Sequence, residues 1–426
     1  MPIRPLLLLL GLLALNLPAA LAEDTPQLHL SGFGSLAATR TDDPAIGFKR
    51  NFQARANADE WSFEADSRLG IQLDLQLNPS WQGVVQVVGM QRERGKFQPT
   101  VEWANLAWEV NPNWRLRLGR MVTPVTSTSE SREVGYAQLG ARAPLETVGI
   151  YPMVGHDGAD LRYRQSLGSG EARVQVFAGQ TAFKLPFLEY EVDQVAGALF
   201  TYTLNDWTLR YAHTRIRDAR ATGGSYLETT RPLVAGLNMI APFCAATLCS
   251  DTITRINRLS SGWGGHFNVL SLGYEDGSWS LQTEYATRKL DTFVSDGRSL
   301  VALLGYHHGE LTPYLGFSRA DSTNRQRAVQ FAVSNPALQP TANMLAGIVS
   351  RNLYEPQAAN RKLYTLGLRW DVHEQLALKF QLDQIRHKYT DANYNGFYVR
   401  QPDANGQLRP YDGRLRLYSL SADFVF

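Results

Sequence analysis

A strict alternation of apolar and polar residues runs through many short segments of the chain. Between Leu69 and Leu77, leucine or isoleucine occupies every second position, and glycine, glutamine or aspartate fills the positions between them. A period of two is that of a β-strand, because successive side chains of a strand point to opposite faces. The segment is therefore predicted to be a strand with one apolar and one polar face.

Sixteen segments of this kind are predicted along the chain. They lie at residues 27–40, 67–78, 81–92, 100–110, 114–121, 158–167, 172–179, 194–205, 207–219, 264–275, 279–290, 299–308, 311–320, 361–371, 376–388 and 413–426. The connections between them are seven very short polar turns and eight longer, unequal loops. The loops lie at 41–66, 93–99, 122–157, 180–193, 220–263, 291–298, 321–360 and 389–412.

Short turns on one side and long loops on the other are typical of transmembrane β-barrels of the bacterial outer membrane. A soluble sandwich has no reason to sort its connections in this way. The sequence therefore predicts an all-β fold, an antiparallel transmembrane barrel of about sixteen strands spanning residues 23–426.

The tryptophans support the same topology. Four of them directly follow a short turn, and two more stand just before one: Trp81, Trp114, Trp207, Trp279, Trp108 and Trp370. An indole ring with one polar N–H favours the membrane interface. We therefore expect an aromatic belt on the side of the short turns.

Arginines alternate with leucines in the segment from Arg115 to Leu118. A Lys or Arg on the lipid face of a barrel costs about 2–4 kcal/mol at the bilayer midplane, whereas the lumen is wet. The leucines are therefore predicted to face lipid and the arginines the lumen. The same parity predicts one group of lumen arginines, here named the arginine wall: Arg115, Arg117, Arg162, Arg164, Arg173 and Arg210.

The two ends of the chain carry signals for export and assembly. Residues 1–22 combine Arg4, an apolar run and the small-residue sequence Ala20-Leu21-Ala22, which is typical of a cleaved secretory signal peptide. In the last strand, apolar residues alternate up to Phe426, and this pattern resembles the signal that the barrel-assembly machinery recognises. We expect the protein to be located in the outer membrane of a Gram-negative bacterium.

Composition excludes several other classes of function. The formal net charge is only +2, and no basic cluster indicates nucleic-acid binding. No Cys or carboxylate cluster with metal-binding spacing accompanies the histidines, so neither a metal nor a cofactor is predicted. Cys244 and Cys249 are the only cysteines, and in an exported protein a local disulfide is favoured over two free thiols.

Three features together resemble the general Gram-negative porin family: the Gly-containing first strand LHLSGFGSLAATR, the motif WRLRLGR on the fifth strand, and the aromatic C-terminus. The resemblance implies a sixteen-stranded barrel, a homotrimer, and a loop after the fifth strand, here residues 121–158, that folds into the barrel and narrows the pore. The small residues Gly32 and Gly34 are interpreted as positions that allow a neighbouring subunit to pack closely. Two features depart from the family: the loop lacks an acid-rich PEFGGD-like string, and the loops at 220–263 and 321–360 are unusually long.

The loop after the fifth strand contributes Glu130, Glu133 and Glu146. If these carboxylates face the arginine wall, they set up a transverse field that orients solutes and separates ion paths. The alternative is that the arginines only hold the loop in place through salt bridges. The apolar stretches at 233–248 and 344–349 are expected to form short helices that cap or plug the barrel, or to contact a neighbouring subunit.

The sequence thus predicts a non-enzymatic porin through which ions and small hydrophilic solutes diffuse passively. Its expected partners are these solutes, outer-membrane lipid, the barrel-assembly machinery through Phe426, and two further copies of the chain. A channel selective for anions or small organic acids is the first alternative. The second is an outer-membrane enzyme or adhesin with the barrel as its scaffold, although no local catalytic motif such as G-x-S-x-G supports an enzyme.

Overall fold

The computed structural model describes residues 26–50, 53–151, 153–323, 328–354, 360–388 and 396–426. The predicted signal peptide, residues 1–22, lies outside them. Within this part of the chain, sixteen antiparallel strands form a closed barrel in which each strand pairs with its neighbours in sequence and the first pairs with the last. The predicted all-β barrel and its strand number are confirmed.

The barrel strands are numbered in chain order. They are β1 (Gln27–Thr41), β2 (Arg68–Asn78), β3 (Trp81–Gln91), β4 (Phe97–Asn111), β5 (Trp114–Val122), β6 (Gly155–Leu167), β7 (Gly170–Lys184), β8 (Glu189–Leu204), β9 (Trp207–Gly223), β10 (Trp263–Glu275), β11 (Trp279–Leu290), β12 (Gly297–Tyr306), β13 (Leu311–Ser322), β14 (Arg361–His373), β15 (Leu376–His387) and β16 (Arg414–Val425).

The outer face of the barrel is apolar, as the alternation predicts. On β1, Leu28 and Leu30 are 65% and 62% exposed, whereas Ser35 points inward and is buried. The tryptophans pack in aromatic pairs at the short-turn end of the barrel, for example Trp81 stacked on Trp108 with ring centroids 5.6 Å apart. An apolar band next to an aromatic belt is the surface that a bilayer requires of a spanning barrel.

The barrel closes between β1 and β16 through glycines that lie under aromatic rings. Gly32 and Phe426 exchange two backbone hydrogen bonds of 2.9 and 3.0 Å, and Gly34 lies opposite Phe424. A Cβ atom on Gly32 or Gly34 would overlap the ring of Phe426 or Phe424, respectively. The glycines therefore accommodate rings of the same chain, which accounts for them without the predicted subunit packing.

The rule that basic residues face the lumen is wrong at the long-loop end. Arg319, Lys362, Arg386 and Arg414 lie directly opposite one another on the adjacent strands β13 to β16. All four are exposed and share the parity of the outward leucines. We name these four residues the basic row. The cost of a charge falls from the midplane towards the interface, so strand ends tolerate what strand centres do not.

The long loops carry four helices, α1 (Leu145–Val148), α2 (Ser225–Ile240), α3 (Thr247–Ser261) and α4 (Gln339–Val349). They also carry 3₁₀ turns at Gly135–Ala137, Ala241–Phe243 and Pro336–Leu338 and a π turn at Ser350–Tyr354. Two short strands, Ile46–Phe48 and Tyr398–Arg400, pair with each other outside the barrel sheet. None of the described helices is long and apolar enough to cross a membrane.

Helices α2, α3 and α4 share one hydrophobic core with the long-loop end of the barrel. Leu237, Ile253 and Leu345 are almost completely buried in this cluster, together with Phe267 of β10. Cys244 and Cys249 are joined by a disulfide at the start of α3. The predicted helices therefore form, and they pack over the mouth of their own barrel.

Candidate functional site

The connection between β5 and β6 runs through the interior of the barrel. It covers residues 123–154, narrower than the predicted 121–158, because β5 and β6 stay paired as far as Val122 and Gly155. We name this segment the inner loop. It hydrogen-bonds to Arg210 on β9 and to Lys379 on β15, two strands well separated around the barrel.

One end of the inner loop is held by part of the arginine wall. Glu130 accepts a hydrogen bond of 2.6 Å from Arg162 and lies 3.5 Å from the guanidinium of Arg117. Arg210 donates to the carbonyl oxygen of Pro124 at 2.9 Å. Burial opposes ionisation of Glu130, but Arg162, Arg117 and Arg210 outweigh it and lower the pKa of the carboxyl below its usual value.

Arg117 is a structural member of that wall. Its Nε lies 2.9 and 3.0 Å from the two carboxylate oxygens of Asp160 on β6, and both side chains are buried. A bidentate arginine–carboxylate pair is among the strongest side-chain interactions in proteins. Arg117 therefore fixes β5 to β6 behind Glu130, and little of its charge reaches the solvent.

The middle of the inner loop is held by Lys379 on β15. Nζ of Lys379 donates to the carbonyl oxygens of Gly135, Gln138 and Gly140 at 2.7, 2.6 and 3.1 Å. Arg369 on β14 donates to the same stretch, at 2.8 Å from the carbonyl oxygen of Tyr136. These bonds tie the middle of the loop to the wall formed by β14 and β15.

Glu133 does not face the arginine wall, although a transverse field would require that arrangement of it. It accepts a hydrogen bond of 2.9 Å from Arg50 and lies 3.4 Å from Arg132 and 3.8 Å from Arg68. Burial alone would raise its pKa, but Arg50, Arg132 and Arg68 lower it to about 2. The loop between β1 and β2 supplies Arg50, so a partner distant in sequence decides the position of this carboxylate.

Glu146 also lies away from the arginine wall. It sits in α1 and pairs with Arg361 of β14 at 3.1 Å, with both side chains buried. The neighbouring Arg142 pairs with Asp66 at 2.8 Å and with Asp383 of β15 at 3.3 Å. These ion pairs anchor the second half of the inner loop to the wall opposite Arg117.

The remaining predicted arginines line the barrel nearer its short-turn end and do not contact the inner loop in the described residues. Arg115 pairs with Glu109 at 3.0 Å. Arg164 donates to the carbonyl oxygen of Pro112 at 2.7 Å. Arg173 pairs with Glu171 at 2.8 Å, and its side chain is 48% exposed. The structure thus brings Glu130 together with Arg117, Arg162 and Arg210, and leaves the other predicted residues outside that group.

Several residues that hold the inner loop are absent from the predicted site. Lys379, Arg369 and Asp383 carry a usable signal, because they are charged residues with lumen parity on predicted strands. Asp66 and Arg50 carry none, since they lie in a long loop without periodicity.

In the part of the chain that the structure describes, no group of three or more His, Cys, Asp or Glu side chains is placed to hold a metal ion.

No protein-family model matches the sequence, and no curated protein matches it either. Solved structures do resemble it at low sequence identity. OmpF of Salmonella typhi in complex with daunomycin has a TM-score of 0.52 at 12% identity, with 94% of this chain and 97% of that chain covered. The anion-selective porin of Comamonas acidovorans has a TM-score of 0.50 at 12% identity, with coverages of 94% and 100%.

The trimer form of in-vitro folded OmpT, an outer membrane protein of Vibrio cholerae, has a TM-score of 0.50 at 11% identity, with coverages of 95% and 100%. Each match extends over nearly the whole of both chains, so the likeness concerns the complete barrel. At these identities it establishes the fold and no more. The chain therefore has the sixteen-stranded barrel fold of the Gram-negative outer-membrane porins.

Proposed function

We propose that the protein is a porin of the Gram-negative outer membrane, through which ions and small hydrophilic solutes diffuse passively. Its fold is that of porins, and its apolar outer band with an aromatic belt suits a bilayer. The exposed basic row at the long-loop end supports an orientation in which this end meets the anionic headgroups of the outer leaflet. The proposed transport involves no catalytic step and no cofactor.

The observation that carries the proposal is the anchoring of the inner loop to two separate parts of the barrel wall. Glu130 binds Arg162 on one side, and Lys379 binds three loop carbonyls on the other. A loop held in this way narrows the lumen to a fixed width, and a fixed width is what size exclusion requires. Glu130 remains 42% exposed and Arg162 23% exposed at this level. Charges of both signs therefore line the water path beside the loop.

Most of the loop's ion pairs anchor it. Arg117, Arg142, Arg361 and Glu146 are buried in pairs, so their fields are largely cancelled at short range. Glu130 of the inner loop, together with Arg162 and Arg210 of the arginine wall, is the group best placed to act on passing ions. We infer that the ion pairs serve mainly to fix the pore width, with a local field at Glu130.

Planar-bilayer recording of the purified protein tests the proposal. We expect stepwise conductance that increases in proportion to salt concentration and does not saturate. Unresolved leak or no conductance at all would contradict a pore. In Glu130→Gln the loop loses its link to Arg162, so the open channel is expected to conduct more and to fluctuate more than the wild type.

We also infer that the protein is a homotrimer. The outer face of β2 to β5 presents a band of apolar side chains, with Leu69, Ile71, Val85 and Leu118 between 43% and 52% exposed. The basic row lies on β13 to β16. Cations that bind lipid headgroups are of no use in a contact between subunits. The apolar face of β2 to β5 therefore suits a contact between copies of the chain better than the face that carries the basic row. The trimer form of the Vibrio cholerae protein supports this assembly.

Light scattering of the detergent-solubilised protein measures the oligomeric state. Ile71→Arg combined with Val85→Arg is expected to yield monomers that still conduct. The pair Leu366→Arg and Phe380→Arg, on the exposed outer face of β14 and β15, serves as the matched control and is expected to leave the trimer intact. Monomers in the wild type would overturn the inference.

Recognition of Phe426 by the barrel-assembly machinery is a further part of the proposal. Phe426 is 54% exposed on the outer face, so its ring is accessible beside the β1–β16 seam. Its test is the rate of insertion into vesicles that contain the purified machinery. Phe426→Ser is expected to slow this assisted insertion more than spontaneous refolding in detergent, and equal effects on both would assign Phe426 a purely structural role.

A further inference from the structure

A cavity of about 380 Å³ lies in the long-loop mouth of the barrel. Ile150 and Met153 of the inner loop border it on one side, and Phe267 of β10 lines the barrel wall. Tyr226 of α2 and Leu353 border it from the long loops. We name this cavity the entry chamber. Its volume falls in the range of about 300–1,000 Å³ that is usual for small-molecule sites.

Aromatic side chains form much of the chamber wall. Phe183 stacks on Tyr190 with ring centroids 4.8 Å apart, and Tyr190 meets Trp263 edge to face at 6.3 Å. Phe267 and Leu290 add further apolar surface from β10 and β11. A water-filled pore for small hydrophilic solutes does not need such a lining, whereas the burial of an apolar ring does.

One positive charge in this chamber has no ion-pair partner among the described residues. Arg288 of β11 donates to the carbonyl oxygen of Ser295 at 2.9 Å and makes longer contacts of 3.5 Å with the carbonyl oxygens of Gly149 and Ile150. Asp296 is close enough to act on Arg288 electrostatically, but among the described residues no carboxylate oxygen lies within ion-pair distance of its guanidinium, and its buried Nε has no hydrogen-bond partner. Carbonyl groups satisfy donors but do not neutralise a charge.

The other charged residues of the chamber are already paired. Arg361 binds Glu146 at 3.1 Å, and Arg298 lies 3.4 Å from Asp321. The chamber therefore carries one cation without an ion-pair contact in a largely apolar setting. Since an unpaired charge is costly in such surroundings, an anionic group that reaches Arg288 gains the interaction the protein itself does not supply.

We propose that the entry chamber binds amphipathic monoanions, with a carboxylate on Arg288 and an aromatic ring against Phe267, Tyr190 and Trp263. This inference rests on the proposed pore function and narrows it, because solutes of this class would be concentrated directly above the inner loop. Binding in the entry chamber differs from ion selection by the arginine wall, because the arginine wall lies on other strands and has no comparable apolar surface.

The probe is 2-naphthoate, applied from the long-loop side to single channels in a planar bilayer and titrated calorimetrically into the detergent-solubilised protein. We expect saturable block of the ionic current and saturable binding. Acetate, which has the charge without the ring, and 2-naphthalenemethanol, which has the ring without the charge, should each bind about tenfold more weakly or worse.

Arg288→Gln is expected to weaken 2-naphthoate binding, measured calorimetrically, about tenfold or more. Lys289→Gln is the matched control, because it removes the same charge from the next residue of β11, which is exposed on the outer face. It should bind 2-naphthoate as the wild type does. Trp263→Leu tests the apolar half and should weaken 2-naphthoate more than acetate.

The outcomes separate this inference from the pore function. Salt-dependent conductance without naphthoate binding would overturn the chamber proposal and leave the pore intact. Calorimetric binding that depends on Arg288 in a protein that does not conduct would overturn the pore function and retain the binding site. Equal binding by wild type and Arg288→Gln would place the anion elsewhere and overturn the assignment.

Discussion

Lys379 on β15 and Asp423 on β16 form an ion pair of 3.1 Å in which neither side chain is accessible to solvent. Asp423 also accepts hydrogen bonds from Ser35 and Ser421, and Nζ of Lys379 also donates to carbonyl oxygens of the inner loop. The pair therefore links three parts of the molecule: the seam where the barrel closes, the β15 wall and the inner loop.

Lys379→Met is expected to destabilise the barrel and release the inner loop. It leaves Asp423 buried without its cation, and loss of one partner of a buried pair costs about 3–5 kcal/mol. Urea unfolding in detergent, followed by tryptophan fluorescence, measures the stability, and current noise in bilayers reports the freed loop.

The double variant Lys379→Met with Asp423→Asn is the control for this prediction. It removes both charges, so it should recover much of the stability but none of the anchoring by Lys379, because the carbonyl oxygens of Gly135 and Gly140 still lack this donor. A double variant with wild-type current noise would show that Lys379 does not hold the loop.

Arg164 and Arg173 lie directly opposite each other on β6 and β7. Both are exposed, and the pair of Arg173 with Glu171 is a surface pair that cancels little charge at a distance. Arg164→Glu with Arg173→Glu should shift the reversal potential in a salt gradient towards cation selectivity. Arg117 is unsuitable for this test, because reversing its charge would place two buried acids in contact at Asp160.

Arg215→Glu with Arg217→Glu is the matched control. It reverses the same number of charges on exposed positions with outward parity on β9. The selectivity of the channel is therefore expected to remain that of the wild type. An equal shift in both double variants would assign the effect to the overall surface potential rather than to the lumen wall.

The strands were predictable because the membrane imposes one requirement along their whole length. Leu69 to Leu77 alternate because one face meets lipid and the other does not, and this pattern is visible in a single segment. Trp81 and Trp108 mark the short-turn end for a similar reason, since the interface acts on each residue independently.

The partners of the inner loop were not predictable because they depend on contacts between distant residues. The sequence assigns Glu133 and Glu146 to the inner loop, but Arg50 and Arg361, which decide their positions, lie 83 and 215 residues away. The basic row was missed for another reason: parity was applied to whole strands, whereas the cost of a charge depends on its depth in the membrane.

Glu133 makes the stability of the inner loop dependent on pH. Its folded pKa is about 2, below the usual 4.5, so it stabilises the folded state fully above about pH 4.5. This contribution is lost as the pH falls from 4.5 through 2, when Arg50, Arg68 and Arg132 lose their anion. Urea unfolding of the wild type should therefore show stability decreasing across this window.

Glu133→Gln isolates the contribution of this carboxylate. The variant should be less stable than the wild type at pH 7, and the difference between the two should shrink as the pH falls towards 2. Asp74→Asn on β2, which removes a carboxylate without an ion-pair partner among the described residues, is the control. A difference between wild type and Glu133→Gln that stays constant from pH 7 to pH 2 would contradict the assignment.

The seam between β1 and β16 should be unusually sensitive to added side-chain volume. Gly34→Val would drive a branched side chain into the ring of Phe424, which lies over the glycine from the opposite position on β16. We expect a large loss of the folded, heat-modifiable band on SDS gels.

Gly83→Val is the matched control, since the nearest atom to a Cβ at Gly83 is Cβ of Leu75 at 3.8 Å, an ordinary contact. Gly83→Val should fold as the wild type does, because valine suits a strand better than glycine. If Gly34→Val folds equally well, the aromatic rings of β16 do not determine closure of the barrel.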